Sequence, residues 1–284
     1  MGVAIRYLLP LLAAALAAAP TATALSRGAL RVREDSLRVA IERVADTPVA
    51  DTGQRMALNR TFAALLEQTL REDSAFLYPF DRVPYLYRVA SPNKRVRVFT
   101  WNVPLPTEQR YYGFVLARSS AAVSAATVSP LRDRRRATNL VEGIATGPSE
   151  WFGALYITLT ERYLPATRQT AYTLLGISPC GDGASNKKVV DVLRIDQAGR
   201  CTFGAPIFVK KGKVLHRLVF EYSADAVMEL RYHERTGQIL LSALVPINAQ
   251  LRGFYPSYVT GDAYHALRFA NGQWRMYENV KLPR

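Results

Sequence analysis

Two glutamates and one aspartate are the residues best suited to acid–base chemistry in this chain. Glu221 and Glu229 flank a short predicted turn, and Asp262 follows a segment rich in tyrosine. Two carboxyl groups about 5 to 9 Å apart can act as the acid and the base of a glycoside hydrolase. The alternative is a ladder of opposite charges across the hairpin, in which the glutamates pair with Arg217 and Arg231. The ladder is the interpretation that we favour.

The three histidines form no recognisable catalytic or metal-binding motif. His216, His233 and His265 have no second His or Cys at a spacing typical of zinc sites. No serine stands in a Gly-x-Ser-x-Gly elbow, and no glycine-rich loop leads into a helix as a phosphate site would require. A Ser-His-Asp triad stays open, because its members need not be close in sequence. We expect no metal and no cofactor, and a non-enzymatic role is favoured.

Aromatic residues near the predicted strand ends are the candidates for ligand contacts. The chain has 15 Tyr, 11 Phe and 3 Trp. Exposed Trp and Tyr rings can stack on sugars, while packing in the core is the alternative for each of them. The long segment from Gly253 to Asp262 is the main candidate for a binding loop. The candidate ligand-binding residues are Trp101, Asn102, Trp151, Tyr255 and Tyr258.

The first 24 residues have the features of a secretion signal. Arg6 precedes the apolar run from Tyr7 to Ala19, and Ala22-Thr23-Ala24 matches the small-x-small cleavage pattern, which places the mature start at Leu25. The apolar run is shorter than the roughly 20 residues of a membrane-spanning helix, and no later segment reaches that length. We therefore expect a soluble, exported protein, periplasmic or extracellular, without a transmembrane span.

The chain is strongly basic. Its formal net charge is +14, or +13 once Arg6 is removed with the signal. Such a surplus favours anionic partners, for example lipid headgroups or an acidic polysaccharide, although scattered arginines without a specific partner are the alternative. We expect an envelope or extracellular ligand, such as a glycan or another polyanion, and no nucleic acid. The sequence does not indicate an oligomeric state.

The two cysteines, Cys180 and Cys201, would pair by default in an oxidising compartment. The predicted strand from Val189 to Ile195 lies between them and would hold them some 20 Å apart, at about 3.3 Å per residue. A disulfide requires Cα atoms within about 7 Å of each other. The spacing therefore favours unpaired thiols and leaves pairing open.

These residues are positioned by a helical segment followed by a β domain. Leu30, Leu37, Ile41 and Val44 recur at a loosely helical spacing, and a second amphipathic pattern opens at Thr52. We expect a helical segment over residues 25–75 and a β domain over residues 76–284. Residues 119–148 lack a clear pattern and fit either a loop or a helix followed by an edge strand.

About eleven short strands with few intervening helices predict a mainly β, antiparallel meander. The meander could be arranged as a curved sheet, a barrel or a sandwich. Its centre is residues 214–245, where alternation places Leu218, Phe220 and Tyr222 on one inward face. Met228, Leu230 and Tyr232 share that face on the next strand of the predicted hairpin. Asn271-Gly272 predicts a two-residue hairpin near the end of the chain.

The part of the chain after residue 75 contains several distinctive motifs: Ser91-Pro92-Asn93-Lys94 with Thr100-Trp101-Asn102, Trp151-Phe152-Gly153-Ala154-Leu155-Tyr156, Tyr172-Thr173-Leu174-Leu175-Gly176, Phe203-Gly204-Ala205-Pro206-Ile207-Phe208, and Phe220-Glu221-Tyr222-Ser223 with Leu230-Arg231-Tyr232. These motifs resemble a family of exported bacterial proteins of uncharacterised function. The resemblance implies no established activity, so it assigns no catalytic residue.

Overall fold

A computed structural model of the protein describes residues 25–118, 126–134 and 142–282. The predicted signal peptide, residues 1–24, lies outside the described residues. Of the described residues, 46% lie in strands and 21% in helices, and two helices precede many antiparallel strands in open sheets. The predicted mainly β class is therefore confirmed.

The two helices are α1 (Arg27–Asp46) and α2 (Thr52–Leu70). Ser26 caps α1 by accepting a hydrogen bond from the backbone N–H of Ala29, and Asp51 caps α2 in the same way. The apolar residues that predicted α1, from Leu30 to Val44, are all buried. Short 3-10 turns follow at Asp73–Phe76, Pro148–Glu150, Ala249–Leu251 and Tyr255–Ser257.

The described residues contain fifteen strands in three sheets. The first sheet has β1 (Tyr87–Ala90), β2 (Val96–Leu105), β3 (Glu108–Ala117) and β4 (Thr127–Arg132). The middle sheet has β5 (Leu155–Leu164), β6 (Gln169–Ile177), β7 (Ser185–Ile195), β8 (Cys201–Phe203) and β11 (Leu218–Ser223). The third sheet has β9 (Phe208–Lys210), β10 (Lys213–Leu215), β12 (Leu230–His233), β13 (Gln238–Pro246), β14 (Tyr258–Ala270) and β15 (Gln273–Val280).

The helices and the three sheets stack as four layers. One face of β2 packs against the helices through Phe99 and Trp101, while its other face packs against the middle sheet through Val96 and Val98. The opposite face of the middle sheet packs against the third sheet in a separate apolar cluster, to which Trp274 belongs. The middle sheet is thus covered on both faces, which explains the near-continuous apolar run in β7.

The predicted centre of the fold, residues 214–245, is divided between two sheets. Strand β11 pairs with β7 in the middle sheet, whereas β12 pairs with β13 in the third sheet. The predicted hairpin across residues 223–226 is therefore wrong, because the chain crosses between layers there. The predicted inward face is confirmed as core, since Leu218, Phe220 and Met228 are buried in the cluster between these two sheets.

The predicted turns at Gly237 and at Asn271-Gly272 are confirmed. Asn271 and Gly272 both have positive φ, 50° and 78°, and they join β14 to β15 in the tight two-residue hairpin that this dipeptide favours. The β9–β15 pair is parallel, which departs from the predicted meander. It brings Phe208 beside Trp274 at the centre of the third sheet.

Candidate functional site

A cleft with a volume of about 970 Å³ opens between the middle and third sheets. Val219, Phe220 and Glu221, three consecutive residues of β11, line it. Because side chains alternate along a strand, consecutive lining residues mean that the cleft meets β11 along its edge. Among the described residues, β11 is the edge strand of the middle sheet, and Glu142 Oε1 accepts from the Val219 N–H on this side at 2.8 Å.

Apolar side chains from both sheets form one surface of the cleft. Phe220 comes from β11, and Leu241, Leu244 and Met276 come from the third sheet. The Lys210 ammonium lies 5.0 Å from the centre of the Phe220 ring, at a distance suited to a cation–π contact. The cleft therefore combines an apolar surface with charged groups at its edge, as small-molecule sites commonly do.

Two tyrosines from the predicted binding loop form another wall. The rings of Tyr255 and Tyr258 are 5.1 Å apart at an angle of 47°, and both residues line the cleft. The Tyr258 hydroxyl accepts a hydrogen bond from the backbone N–H of Gly253 at 3.0 Å, which ties the loop to the start of β14. Tyr255 is 54% exposed, so much of its ring is accessible to a ligand.

A polar cluster of four side chains occupies the wall formed by β7 and β11. The Glu221 carboxylate accepts a hydrogen bond from the Ser185 hydroxyl at 2.6 Å and lies 3.4 Å from the Lys187 ammonium. The Cys180 sulfur accepts from Lys187 Nζ at 3.2 Å and lies 3.5 Å from Ser185 Oγ. Antiparallel register places Lys187 directly opposite Glu221, which explains the ion pair.

The charges that line the cleft are of both signs. Lys211 forms an ion pair with Glu278 at 3.4 Å, and Asp182 accepts backbone N–H bonds in the turn before β7. The backbone bond from Ala184 is the main cause that lowers the pKa of Asp182, so this carboxyl is ionised at neutral pH. The lining residues include the lysines Lys187, Lys210 and Lys211 and the acids Glu142, Asp182, Glu221 and Glu278.

Glu221 and Glu229 do not lie on neighbouring strands as predicted, because β11 belongs to the middle sheet and Glu229 precedes β12 of the third sheet. Glu229 instead pairs with Arg231 and hydrogen-bonds Tyr264, which raises the pKa of that phenol. Asp262 is exposed within β14 rather than preceding a strand. Of the three predicted carboxylates, only Glu221 lines the cleft.

The predicted partner of the glutamates, Arg217, lies inside the protein rather than on an outward face. It is 1% exposed, and its Nε donates to Asp191 Oδ2 at 3.1 Å, while Asp191 itself is fully buried. The Tyr156 hydroxyl lies 3.4 Å from the same carboxylate oxygen and accepts from Trp151 Nε1 at 3.0 Å. The predicted ladder across the hairpin is therefore not formed: Glu229 pairs with Arg231 in its own segment, and Arg217 pairs with Asp191.

The other predicted ligand-binding residues lie away from the cleft. Trp101 is 1% exposed, and its indole N–H donates to Asn59 Oδ1 at 2.7 Å in the core between the helices and the first sheet. Trp151 is fully buried in the network of Tyr156. Asn102 is half-buried and donates to Gln109 Oε1 at 2.5 Å. Burial explains the positions of both tryptophans without a ligand.

Sequence reasoning considered Cys180 only as a disulfide partner and missed Ser185 and Lys187. Period-two alternation puts Ser185 and Lys187 on one face of β7, which is a signal present in the sequence. Their contact with Glu221 depends on the β7–β11 register, and that pairing joins segments about thirty residues apart. No local pattern encodes it.

No protein-family model matches this chain, and comparison with curated proteins and with solved structures found no match. The family resemblance of its motifs therefore stays a prediction. In the part of the chain that the structure describes, no group of three His, Cys, Asp or Glu side chains is placed to hold a metal ion. The helices of residues 25–118, 126–134 and 142–282 include none long and apolar enough to span a membrane.

Proposed function

We propose that this protein is exported and binds a neutral glycan of the cell envelope or its surroundings in the cleft, without catalysing a reaction. The observation that carries the proposal is the pair Tyr255 and Tyr258 on the wall of the 970 Å³ cleft. Tyrosine offers an apolar face for the C–H groups of a sugar ring and a hydroxyl for its polar edge. The ion pairs around Glu221 and Glu278 offer acceptors and donors for sugar hydroxyls.

The mixture of charges favours a neutral ligand over a polyanion at this site. Four carboxylates line the cleft beside three lysines, so the chain's surplus of positive charge is not concentrated there. A polyanionic chain would lie close to Glu221 and Glu278, and like charges disfavour such contacts. The overall charge of +14 instead favours general attraction to an anionic envelope, which would raise the protein's local concentration near its ligand.

A hydrolase is the alternative with less support. It needs a second carboxylate beside Glu221 across a bound glycosidic bond, and the predicted Glu229 and Asp262 do not line the cleft. The other lining acids each have a protein partner: Glu142 accepts from the Val219 N–H, Asp182 accepts from the Ala184 N–H, and Glu278 pairs with Lys211. An assembly partner that pairs with the open edge of β11 is a further alternative, and the cleft along that edge is where such a strand would lie.

A glycan array probed with the purified protein tests the proposal, followed by titration calorimetry with any neutral glycan that binds. We expect Tyr255→Ala and Tyr258→Ala each to weaken binding at least about fivefold, since truncating a binding hot spot costs more than about 1 kcal/mol. Tyr258→Phe separates the ring from the hydroxyl that holds Gly253. Tyr163→Ala is the matched control, because Tyr163 is 58% exposed on β5 and does not line the cleft.

Absence of any glycan ligand, or unchanged affinity when both tyrosines are replaced, would refute the proposal. Release of shortened sugar chains during the titration would instead support the hydrolase alternative. Tyr163→Ala is expected to bind as the unmodified protein does, so a loss there would point to general instability rather than to a lost contact.

A further inference from the structure

Cys180 is placed beside an amine in the cleft wall. Its sulfur lies 3.2 Å from Lys187 Nζ, and it is one of the residues that line the cleft. The backbone fixes this position from both sides, since the Cys180 N–H donates to the Ser185 carbonyl at 3.4 Å and its carbonyl accepts from Gln109 N at 3.2 Å. The thiol, which is 9% exposed, and the amine therefore lie in contact at the wall of the cleft.

Cys201 provides an internal contrast. It is 5% exposed in the core between the first and middle sheets and does not line the cleft. Burial raises the pKa of its thiol, which disfavours the reactive thiolate. The two cysteines lie near opposite ends of β7, about 33 Å apart over ten residues of strand, so they cannot pair. Both are free thiols.

We propose that Cys180 and Lys187 form a covalent modification site, in which an oxidant joins them by a sulfur–oxygen–nitrogen bridge. One thiol, one neutral amine and one dioxygen yield the bridge and one water. Sulfur and nitrogen each lose two electrons, and dioxygen accepts all four. Hydrogen peroxide supplies the same oxidation when two molecules are consumed and three waters form. The first peroxide converts the thiol to a sulfenic acid, which carries the bridging oxygen. The second peroxide supplies the two-electron oxidation that joins this oxygen to the nitrogen, with release of two waters.

The neighbouring carboxylate positions the amine beside the thiol, and solvent takes up the ammonium proton, because a carboxylate is a far weaker base than an amine. Lys187 must lose its ammonium proton before its nitrogen can form a bond, and the Glu221 carboxylate lies 3.4 Å from Nζ. The bridge inserts one oxygen atom between two atoms already in contact, so the strands need not move far. The bridge removes the positive charge of Lys187 from the cleft wall and so breaks its ion pair with Glu221.

Mass spectrometry of the whole protein after exposure to dilute hydrogen peroxide tests this inference. The bridge adds one oxygen and removes two hydrogens, a gain of about 14 Da that a thiol reductant reverses. Cys180 and Lys187 fall in one tryptic peptide, residues 169–187, because no other Lys or Arg lies between them. We expect the gain of about 14 Da on this peptide, extended to Lys188 because trypsin does not cleave after a modified lysine. Few fragment ions should come from backbone breaks between Cys180 and Lys187, since the bridge holds the two pieces together.

Two variants make the outcome decisive. Lys187→Arg keeps a positive charge opposite Glu221 but lacks the reactive amine, and it should lose the 14 Da product. Cys201→Ser should keep that product. The inference is overturned if Lys187→Arg forms the same product, or if Cys180 gains only whole oxygen atoms, at about 16 Da each. It does not depend on the proposed glycan ligand, because the readout is a mass and not binding.

Discussion

Breaking the buried ion pair between Arg217 and Asp191 should destabilise the fold more than any exposed ion pair would. The side chains are 1% and 0% exposed, and Nε lies 3.1 Å from Oδ2. Removing one partner of such a pair leaves an uncompensated charge in the core and costs about 3 to 5 kcal/mol. We expect Arg217→Met to lower the free energy of unfolding by that amount, which is a large share of the roughly 5 to 15 kcal/mol typical of a domain.

A double-mutant cycle isolates the charge interaction from the loss of packing. Asp191→Asn alone strands the guanidinium, whereas Arg217→Met with Asp191→Asn leaves no buried charge at either position. The double variant should therefore be less destabilised than the sum of the single variants, with a coupling of about 2 kcal/mol or more. The amide oxygen can still accept from the backbone N–H of Val192, which donates to Asp191 Oδ1 at 2.8 Å, while the amide nitrogen would take the place of Oδ2 and donate to the Tyr156 hydroxyl.

Urea unfolding followed by tryptophan fluorescence suits this measurement. Trp151 is fully buried and donates to the Tyr156 hydroxyl, so its emission reports on the network itself. An equal slope of the unfolding free energy against urea concentration in all variants would show that each exposes the same amount of surface on unfolding. The exposed pair Arg200–Asp196 serves as the control cycle, with side chains 84% and 38% exposed. Additive single effects at Arg217 and Asp191, with a coupling no larger than in the control, would refute the reasoning.

Two further predictions concern His216 and Asn59, beside the tests of the tyrosines and of Cys180 with Lys187 given above. Burial, helped by the charges of Arg217 and Arg194, lowers the pKa of His216 in the folded protein. The pKa of a histidine in the unfolded chain is about 6.5, so below that pH the unfolded chain binds a proton that the folded chain does not. The free energy of unfolding should therefore fall as the pH drops below about 6.5. Urea titrations from pH 7.5 to 5 should show a weaker dependence of that free energy on pH in His216→Asn, and an unchanged pH dependence would contradict this. Asn59→Leu should cost about 1 to 3 kcal/mol, because the Trp101 indole N–H loses its buried acceptor, whereas the exposed Gln68→Ala should be neutral by thermal unfolding.

Local patterns in the sequence predicted elements and faces, but not the partners of those elements. The spacing from Leu30 to Val44 predicted α1, and Asn271-Gly272 predicted the last hairpin, because each signal depends on neighbouring residues alone. Alternation assigned Phe220 to the core correctly for the same reason. It did not indicate that β11 joins β7, since a period of two specifies a face and not a neighbouring strand.

The cleft was less predictable than the fold. The loop containing Tyr255 and Tyr258 was identified by its composition, while Trp101 and Trp151 were predicted as ligand contacts from residue type and proved to be buried. Aromatic residues serve packing and recognition through the same apolar area, so type alone does not separate the two roles. Lys187 and Glu221 meet only through pairing between distant strands.

The coverage of the middle sheet on both faces has a consequence for when the chain can fold. Strand β15, near the end of the chain, contributes Trp274 to the core over one face and pairs with β9 some sixty residues earlier. That core therefore stays incomplete until the last strands have been synthesised, and contacts between distant segments form slowly. With this order of strands, one face of the middle sheet stays uncovered during synthesis until β15 can pair with β9.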